Sequence, residues 1–193
     1  DRCFHCKSCQ FRMLGQAAAA EGFRHLLCGS NYDDQDDYRP GNRAAQMLGI
    51  ASPLMQAALT KSDIRQLSRQ LGLPTAEEPA SPCLASRIAY GQPITEAKLA
   101  QVEQAEAFLR SLGFREFRVR HHGTVARLEI PPQEIEKAAG PELRKHITEE
   151  LKKLGFCYIA LDLEGFRSGS LNEMLTDAEK NTEQQPPNWS NRQ

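Results

Sequence analysis

The sequence predicts an α/β chain in which part of an open α/β layer is followed by a small α+β domain. Three observations lead there. The apolar run His25-Leu26-Leu27-Cys28 opens into a loop holding Asp33, Asp34, Asp36 and Asp37, bounded by Gly29 and Pro40-Gly41. Such a loop belongs at the carboxyl end of a strand, where open α/β sheets bind ligands. Apolar residues recur at helical spacing on both sides of it. From Thr95 the order becomes helix, paired strands, helix, strand, which reads as α+β. The expected boundaries are 1–92 for the first part, 93–176 for the second and 177–193 for a disordered tail rich in Asn, Gln and Pro.

Each element has its own signal. Residues 7–21 carry Phe11, Leu14 and Ala18 on one helical face, and Gly22 ends the run. Residues 25–28 read as a short strand. A helix is expected over 42–48, and another from Ser62 through Ile64, Leu67 and Leu71 to Gly72. Pro74 to Gln92 contains prolines and little periodicity, so it reads as a long functional loop. A helix from Thr95 to Gly113 is followed by strands at 116–120 and 125–130, with a turn at His122-Gly123. Helix fills 132–154 and a last strand spans 158–163.

The chain has 193 residues, 40% hydrophobic and 25% charged, with a net charge of -1. That composition builds a core and excludes a wholly disordered or fibrous chain. No global basic field points to nucleic acid. No run has the length of a membrane span, and no signal peptide is visible, so a cytoplasmic protein is expected. The first residue is Asp1, and a motif begins two residues later, so an upstream segment is expected to be missing.

Six cysteines stand at 3, 6, 9, 28, 83 and 157. Clustered cysteines in a reducing compartment more often bind metal or do chemistry than form disulfides. Cys3 and Cys6 form a C-x-x-C pair that can chelate one metal centre. Adding the distant Cys83 gives three thiolates and one open position, which suits an iron–sulfur cluster that touches a substrate. Cys83 sits beside Ser86 and Arg87, and a nearby guanidinium favours the thiolate; the alternative is a cysteine that merely packs. Arg118 and Arg120 share a strand face and suit phosphate or carboxylate. The alternative is a solvated face or a salt bridge to Glu129 or Glu106. The aspartates suit Mg²⁺ beside a polyphosphate, or are a solvated acidic loop. Lys61 precedes a helix N-terminus, opposing its dipole, so it faces an anion or water.

Together these motifs resemble a known family. Gly29-Ser30-Asn31 with Asp33, Asp34, Asp37 and Tyr38-Arg39-Pro40-Gly41 resembles the nucleotide loop of PP-loop adenylating enzymes. Leu59-Thr60-Lys61-Ser62-Asp63-Ile64-Arg65 resembles their lysine-helix segment. Pro82-Cys83-Leu84-Ala85-Ser86-Arg87 and Arg118-Val119-Arg120-His121-His122-Gly123 resemble the ATP-dependent sacrificial sulfur transferases of the LarE family. The resemblance implies a partial Rossmann-like PP-loop layer (adenine nucleotide alpha hydrolase-like). It implies adenylation of a pyridinium mononucleotide carboxylate with ATP and Mg²⁺, then sulfur delivery to a thiocarboxylate for a nickel-pincer cofactor. It implies Cys83 as catalytic thiol, with Cys3, Cys6 and Cys83 holding a [4Fe-4S] cluster in the branch this chain matches. Ser86, Arg87, Arg118 and Arg120 would hold the mononucleotide, and Gly29, Asp34 and Lys61 the nucleotide. Asp34, Asp37 and Glu106 would bind metal, and the family tends to form homo-oligomers.

Some positions depart from the family pattern. The Ser-Gly-Gly-x-Asp-Ser pyrophosphate loop is absent, so this chain alone is expected to be inactive with ATP. Cys28 stands where Asp is usual, Cys9 is an extra thiol, and Ala89 replaces a proline. The alternatives are another PP-loop enzyme, such as an NAD-synthetase-like ligase or a tRNA thiolase, and a non-catalytic metal-binding module.

Overall fold

The computed structural model describes residues 2–35, 39–78, 82–167 and 169–176. The chain divides into two compact units, Asp1–Glu78 with Leu175–Gln193, and Pro79–Met174. Asp37 and the segment 177–193 lie outside the described residues.

In the first unit, α1 (Arg2–Ala20) begins earlier than its apolar spacing suggests and carries Cys3, Cys6 and Cys9 on its opening turns. Gly22, at φ 81°, adopts the left-handed conformation that ends helices. Helix α2 (Pro40–Met47) starts with proline in its first turn, where the missing N–H costs nothing. It packs on α1: Phe4 is buried, and the Arg43 guanidinium lies over its ring at 4.1 Å. A short α3 (Pro53–Gln56) follows, which no periodicity announced. Helix α4 (Lys61–Gln70) has a full capping box, because Thr60 accepts from the Asp63 amide and the Asp63 carboxylate accepts from Thr60 N–H. Lys61 is therefore the first residue of this helix, not its predecessor.

The strand expected at residues 25–28 reduces to a single parallel bridge, Leu27 to Ala51. Cys28 N–H donates to Ala51 O at 2.8 Å, and Ala51 N–H to Leu26 O at 3.3 Å. A parallel strand needs neighbours on its edges. Among the described residues of this unit only the Ala51 segment supplies one, and Leu27 stays 64% exposed.

The second unit is α+β. Helix α5 (Glu96–Ser111) is capped by the Thr95 hydroxyl, which accepts from Lys98 N–H. Strands β1 (Arg118–His122) and β2 (Val125–Glu129) form an antiparallel hairpin. Gly123, at φ 66°, takes the positive φ that a two-residue hairpin loop requires at its first position. Helices α6 (Ile135–Ala139) and α7 (Pro141–Lys153) cross over to β3 (Tyr158–Leu161), parallel to β2, giving the order β1-β2-β3. Ala105, Leu109, Phe114, Val119, Leu128 and Leu151 anchor the core between helices and sheet. After β3 the chain returns through Gly165, where a Cβ would sit 2.6 Å from Ile130 O. Among the described residues no helix is long and apolar enough to cross a membrane.

Candidate active site

Cys83 is exposed and free, at the head of a one-turn 3-10 helix, Leu84–Arg87. Ser86 N–H donates to Cys83 O at 2.9 Å, which closes the turn. Two buried arginines hold it, Arg87 from its own last position and Arg120 from β1. Arg87 Nη1 donates to Pro82 O at 2.8 Å, to Cys83 O at 3.4 Å and to Ser86 Oγ at 3.0 Å. Arg120 Nη1 donates to Ser86 O at 3.0 Å. Beyond the turn, Ile88 bridges His121 at the free edge of β1.

Each arginine has a buried carboxylate. Arg87 makes a two-pronged pair with Glu106 of α5, at 2.7 and 3.0 Å. Arg120 does the same with Glu129 of β2, at 2.9 and 2.8 Å. The hairpin register sets Arg118 opposite Glu129 and Arg120 opposite Arg127. Opposed residues share a sheet face, so Arg118, Arg120, Arg127 and Glu129 lie together on one face. Val119, His121, Ala126 and Leu128 form the core face. Fully buried Glu129 also accepts from Arg127 at 2.9 Å and from the Ser170 hydroxyl at 2.7 Å, and that hydroxyl accepts from Arg120 at 2.8 Å.

The four side chains expected to meet the mononucleotide therefore divide in their present engagements. Arg87 and Arg120 are spent on carboxylates and on the Cys83 turn, and the Ser86 hydroxyl accepts from Arg87. Arg118 is partly exposed, with its guanidinium 4.9 Å from the Phe166 ring centre and donating to Phe117 O at 2.6 Å. Burial and the Arg87 charge push its pKa down, although Glu106 and Glu129 pull it up. A bound anion would relieve that position. Burial also lowers His121, with Lys98 adding to it, and lowers His122, with Arg127 and Arg120 adding to it.

Glu106 does not fit the metal site expected of it. One of its oxygens takes Arg87 Nε and Val119 N–H, and the other takes Arg87 Nη2. A cation would have to displace a guanidinium already in place. Asp34 is similarly engaged: it is buried, accepts from Asn31 N–H at 2.9 Å and pairs with Arg39 at 3.0 Å.

In the first unit the acidic loop is tied to α4. Tyr32 N–H donates to Leu59 O at 2.9 Å, and Lys61 N–H to Asp33 Oδ2 at 2.8 Å. Asp33 thus serves the backbone start of α4 through the Lys61 amide, a partner that sequence spacing did not single out. Gly29 lies open, with no heavy atom within 4 Å of a built Cβ. Cys28 Sγ lies 2.9 Å from Ser52 Oγ and 3.5 Å from Ser30 Oγ. Burial alone raises its pKa, but these hydrogen bonds and the Lys7 charge outweigh that and hold the thiol below its ordinary value.

Cys3, Cys6 and Cys9 are free and exposed. The C-x-x-C pair of Cys3 and Cys6 stands on the first turns of α1, a spacing at which helical neighbours share a face. Cys83 belongs to the other unit. Among the described residues no group of three His, Cys, Asp or Glu side chains is gathered to hold a metal ion.

The salt bridge to Glu129 weighed in the sequence as an alternative for this arginine pair is present at Arg120, and the sequence reading missed Ser170, whose hydroxyl joins it. A carboxylate opposite Arg118 across a predicted hairpin was the available signal for Glu129. No local pattern marks Ser170.

No protein-family model matches the chain. It is 43% identical over 91% of its length to an uncharacterized protein of Synechocystis, of which it covers 66%. It is 40% identical over 93% of its length to the pyridinium-3,5-bisthiocarboxylic acid mononucleotide synthase of Lactiplantibacillus plantarum, of which it covers 64%. An uncharacterized protein of Methanocaldococcus jannaschii is 29% identical over 87% of the chain, which covers 65% of that protein. The chain thus spans just under two thirds of these relatives. The likeness to the synthase, at 40% identity, runs along nearly the whole chain.

Proposed function

We propose that the protein is a sulfur transferase that converts a carboxylate of a pyridinium mononucleotide into a thiocarboxylate for a nickel-pincer cofactor. The observation that carries this reading is the placement of Cys83, an exposed thiol on a turn gripped by Arg87 and Arg120, in a chain 40% identical to a pyridinium thiocarboxylate synthase. Adenylation by MgATP would release pyrophosphate and leave AMP as the leaving group on the carboxylate. A sulfur nucleophile at Cys83 would displace AMP, and where the sulfur is that of Cys83 itself its Cβ–Sγ bond breaks and dehydroalanine remains. The chain's own residues do the rest. Arg118, partly exposed on this face as Arg127 is, draws the anionic substrate, while Arg127 is paired with Glu129. Arg87 and Arg120 set the height and direction of the thiol by holding the carbonyls on both sides of it. Ser86 offers its hydroxyl beside Arg87.

The first unit is proposed as part of a Rossmann-like PP-loop layer. Gly29 leaves room for a phosphate to approach the backbone, and Lys61 at the start of α4 contributes positive charge. Asp34 and Asp37 remain proposals as metal-facing groups, with Asp34 available only after release from Arg39. Cys3, Cys6 and Cys83 are proposed as ligands of a [4Fe-4S] cluster. Cys3 and Cys6 fit that group as exposed thiols at chelating spacing. A homo-oligomer is proposed by the same resemblance.

The test is to incubate the whole protein with MgATP and a pyridinium mononucleotide carboxylate. Formation of AMP and exchange of one substrate oxygen for sulfur, both lost in Cys83→Ala, are expected. AMP formation with an amide product, or thiolation of tRNA in its place, rejects the reading.

A further inference from the structure

The return segment after β3 ends in a 3-10 turn, Ser170–Met174, and two of its side chains are linked to the loop that bears Cys83, Asn172 directly and Ser170 through Arg120. Ser170 is buried, accepts from Arg120 Nη2 at 2.8 Å and donates to Glu129 Oε1 at 2.7 Å. Arg120 in turn holds Ser86 O. Asn172 Oδ1 accepts from the Tyr90 hydroxyl at 3.0 Å. The first link reaches the Cys83 turn itself, and the second grips the chain at Tyr90, beyond Ile88 and its bridge to β1.

We propose that Ser170 and Asn172 are positioning residues, a two-point clamp that fixes the Cys83 loop for its reaction. Glu129 Oε1 takes Arg120, Arg127 and Ser170 together. Without the Ser170 hydroxyl, Arg120 and Glu129 each lose one partner in a region with no water access, where an unmet donor is costly. Arg120 then turns toward Glu129 and slackens its hold on Ser86 O. Asn172 restrains the other end independently, so losing both frees the turn most. This rests on the reading of Cys83 as the reacting thiol, and it names the residues that hold that thiol in place.

The experiment uses iodoacetamide at limiting concentration and quantifies labelling of Cys83 against Cys157 by peptide mass spectrometry. Both thiols are exposed and lie in the same unit, so Cys157 is an internal reference. Ser170→Ala and Asn172→Leu should each raise the Cys83 to Cys157 ratio by about threefold or more, as the exposed Cys83 thiol leaves the single posture in which its turn holds it. Asn172→Asp, which keeps the accepting oxygen, should restore the original ratio. An unchanged ratio in folded variants overturns the clamp, as does an equal rise at both cysteines, which marks general loosening. If Ser170→Ala does not fold, the partly exposed Asn172 pair decides alone. The labelling needs no ATP or mononucleotide. Failure of sulfur transfer with a shifted ratio rejects the proposed function and leaves the clamp standing, and the converse result does the reverse.

Discussion

At the scale of single residues, the second unit depends on charges that cannot be left alone. Arg87 and Glu106 are both at most 5% exposed at their side chains. Removing one strands the other in a place without water, which costs about 3–5 kcal/mol. Arg87→Ala should therefore destabilise the unit by that amount in denaturant unfolding and also release Pro82 O and Cys83 O. Arg87→Lys keeps the charge but loses the fork, and should recover only part of the loss. His121 gives a pH dependence of known sign. It lies on the core face, its Nε2 facing Gln101 Oε1 at 3.0 Å and its ring 5.5 Å from Phe156. Burial first, then Lys98, lowers its pKa below 6.5. The unfolded chain binds the proton more readily, so stability is fully present above about pH 6.5 and falls as pH drops toward the folded value. Melting temperature should decline over that window, and His121→Gln should flatten the decline. A slope identical in the variant places the titration elsewhere.

At the scale of elements, local chemistry decides where helices begin, and this part was readable from the sequence. Thr60 and Asp63 mark the start of α4, and Thr95 marks the start of α5, because a cap is a contact between residues three apart. Thr60→Ala should cost about 1 kcal/mol in the first unit. Because Asp33 also reaches the Lys61 amide, Asp33→Ala should add a loss of its own, measurable in a double-mutant cycle. The hairpin was readable too, since alternation and Gly123 specify it, but its first strand runs two residues later than expected, so His122 ends β1 and the loop is Gly123-Thr124. The strand at 25–28 was not, because an apolar run states only a preference, and pairing depends on an edge elsewhere in the chain. Nor was the choice of partners. Spacing offered Glu106 and Glu129 as mates for Arg118 and Arg120, but the fold gives Glu106 to Arg87, 19 residues away, and keeps Glu129 for Arg120. Sequence distance carries no information on which of several arginines a helix will bring to its carboxylate.

At the scale of the whole molecule, the proposed cluster asks for cysteines from both units, Cys3 and Cys6 from one and Cys83 from the other. Anaerobic loading with iron and sulfide should give a brown protein whose colour is lost in Cys6→Ala and in Cys83→Ala alike. Full iron retention without Cys83 assigns the metal to α1 alone and removes the cluster from the site. The motifs in sequence pointed to these residues one by one, while the gathering of Arg120, Arg127 and Ser170 on Glu129 emerged only from the fold. The clamp on Cys83 has one more consequence, which concerns the order of synthesis. Its second link joins Tyr90 to Asn172 across 82 residues. A ribosome needs about 4–16 s to add that many. For that interval the nascent chain carries Cys83 with its outer restraints unmade. The thiol thus gains its working posture only after residues 170 and 172 have been added, and until then it is an ordinary cysteine on a growing chain.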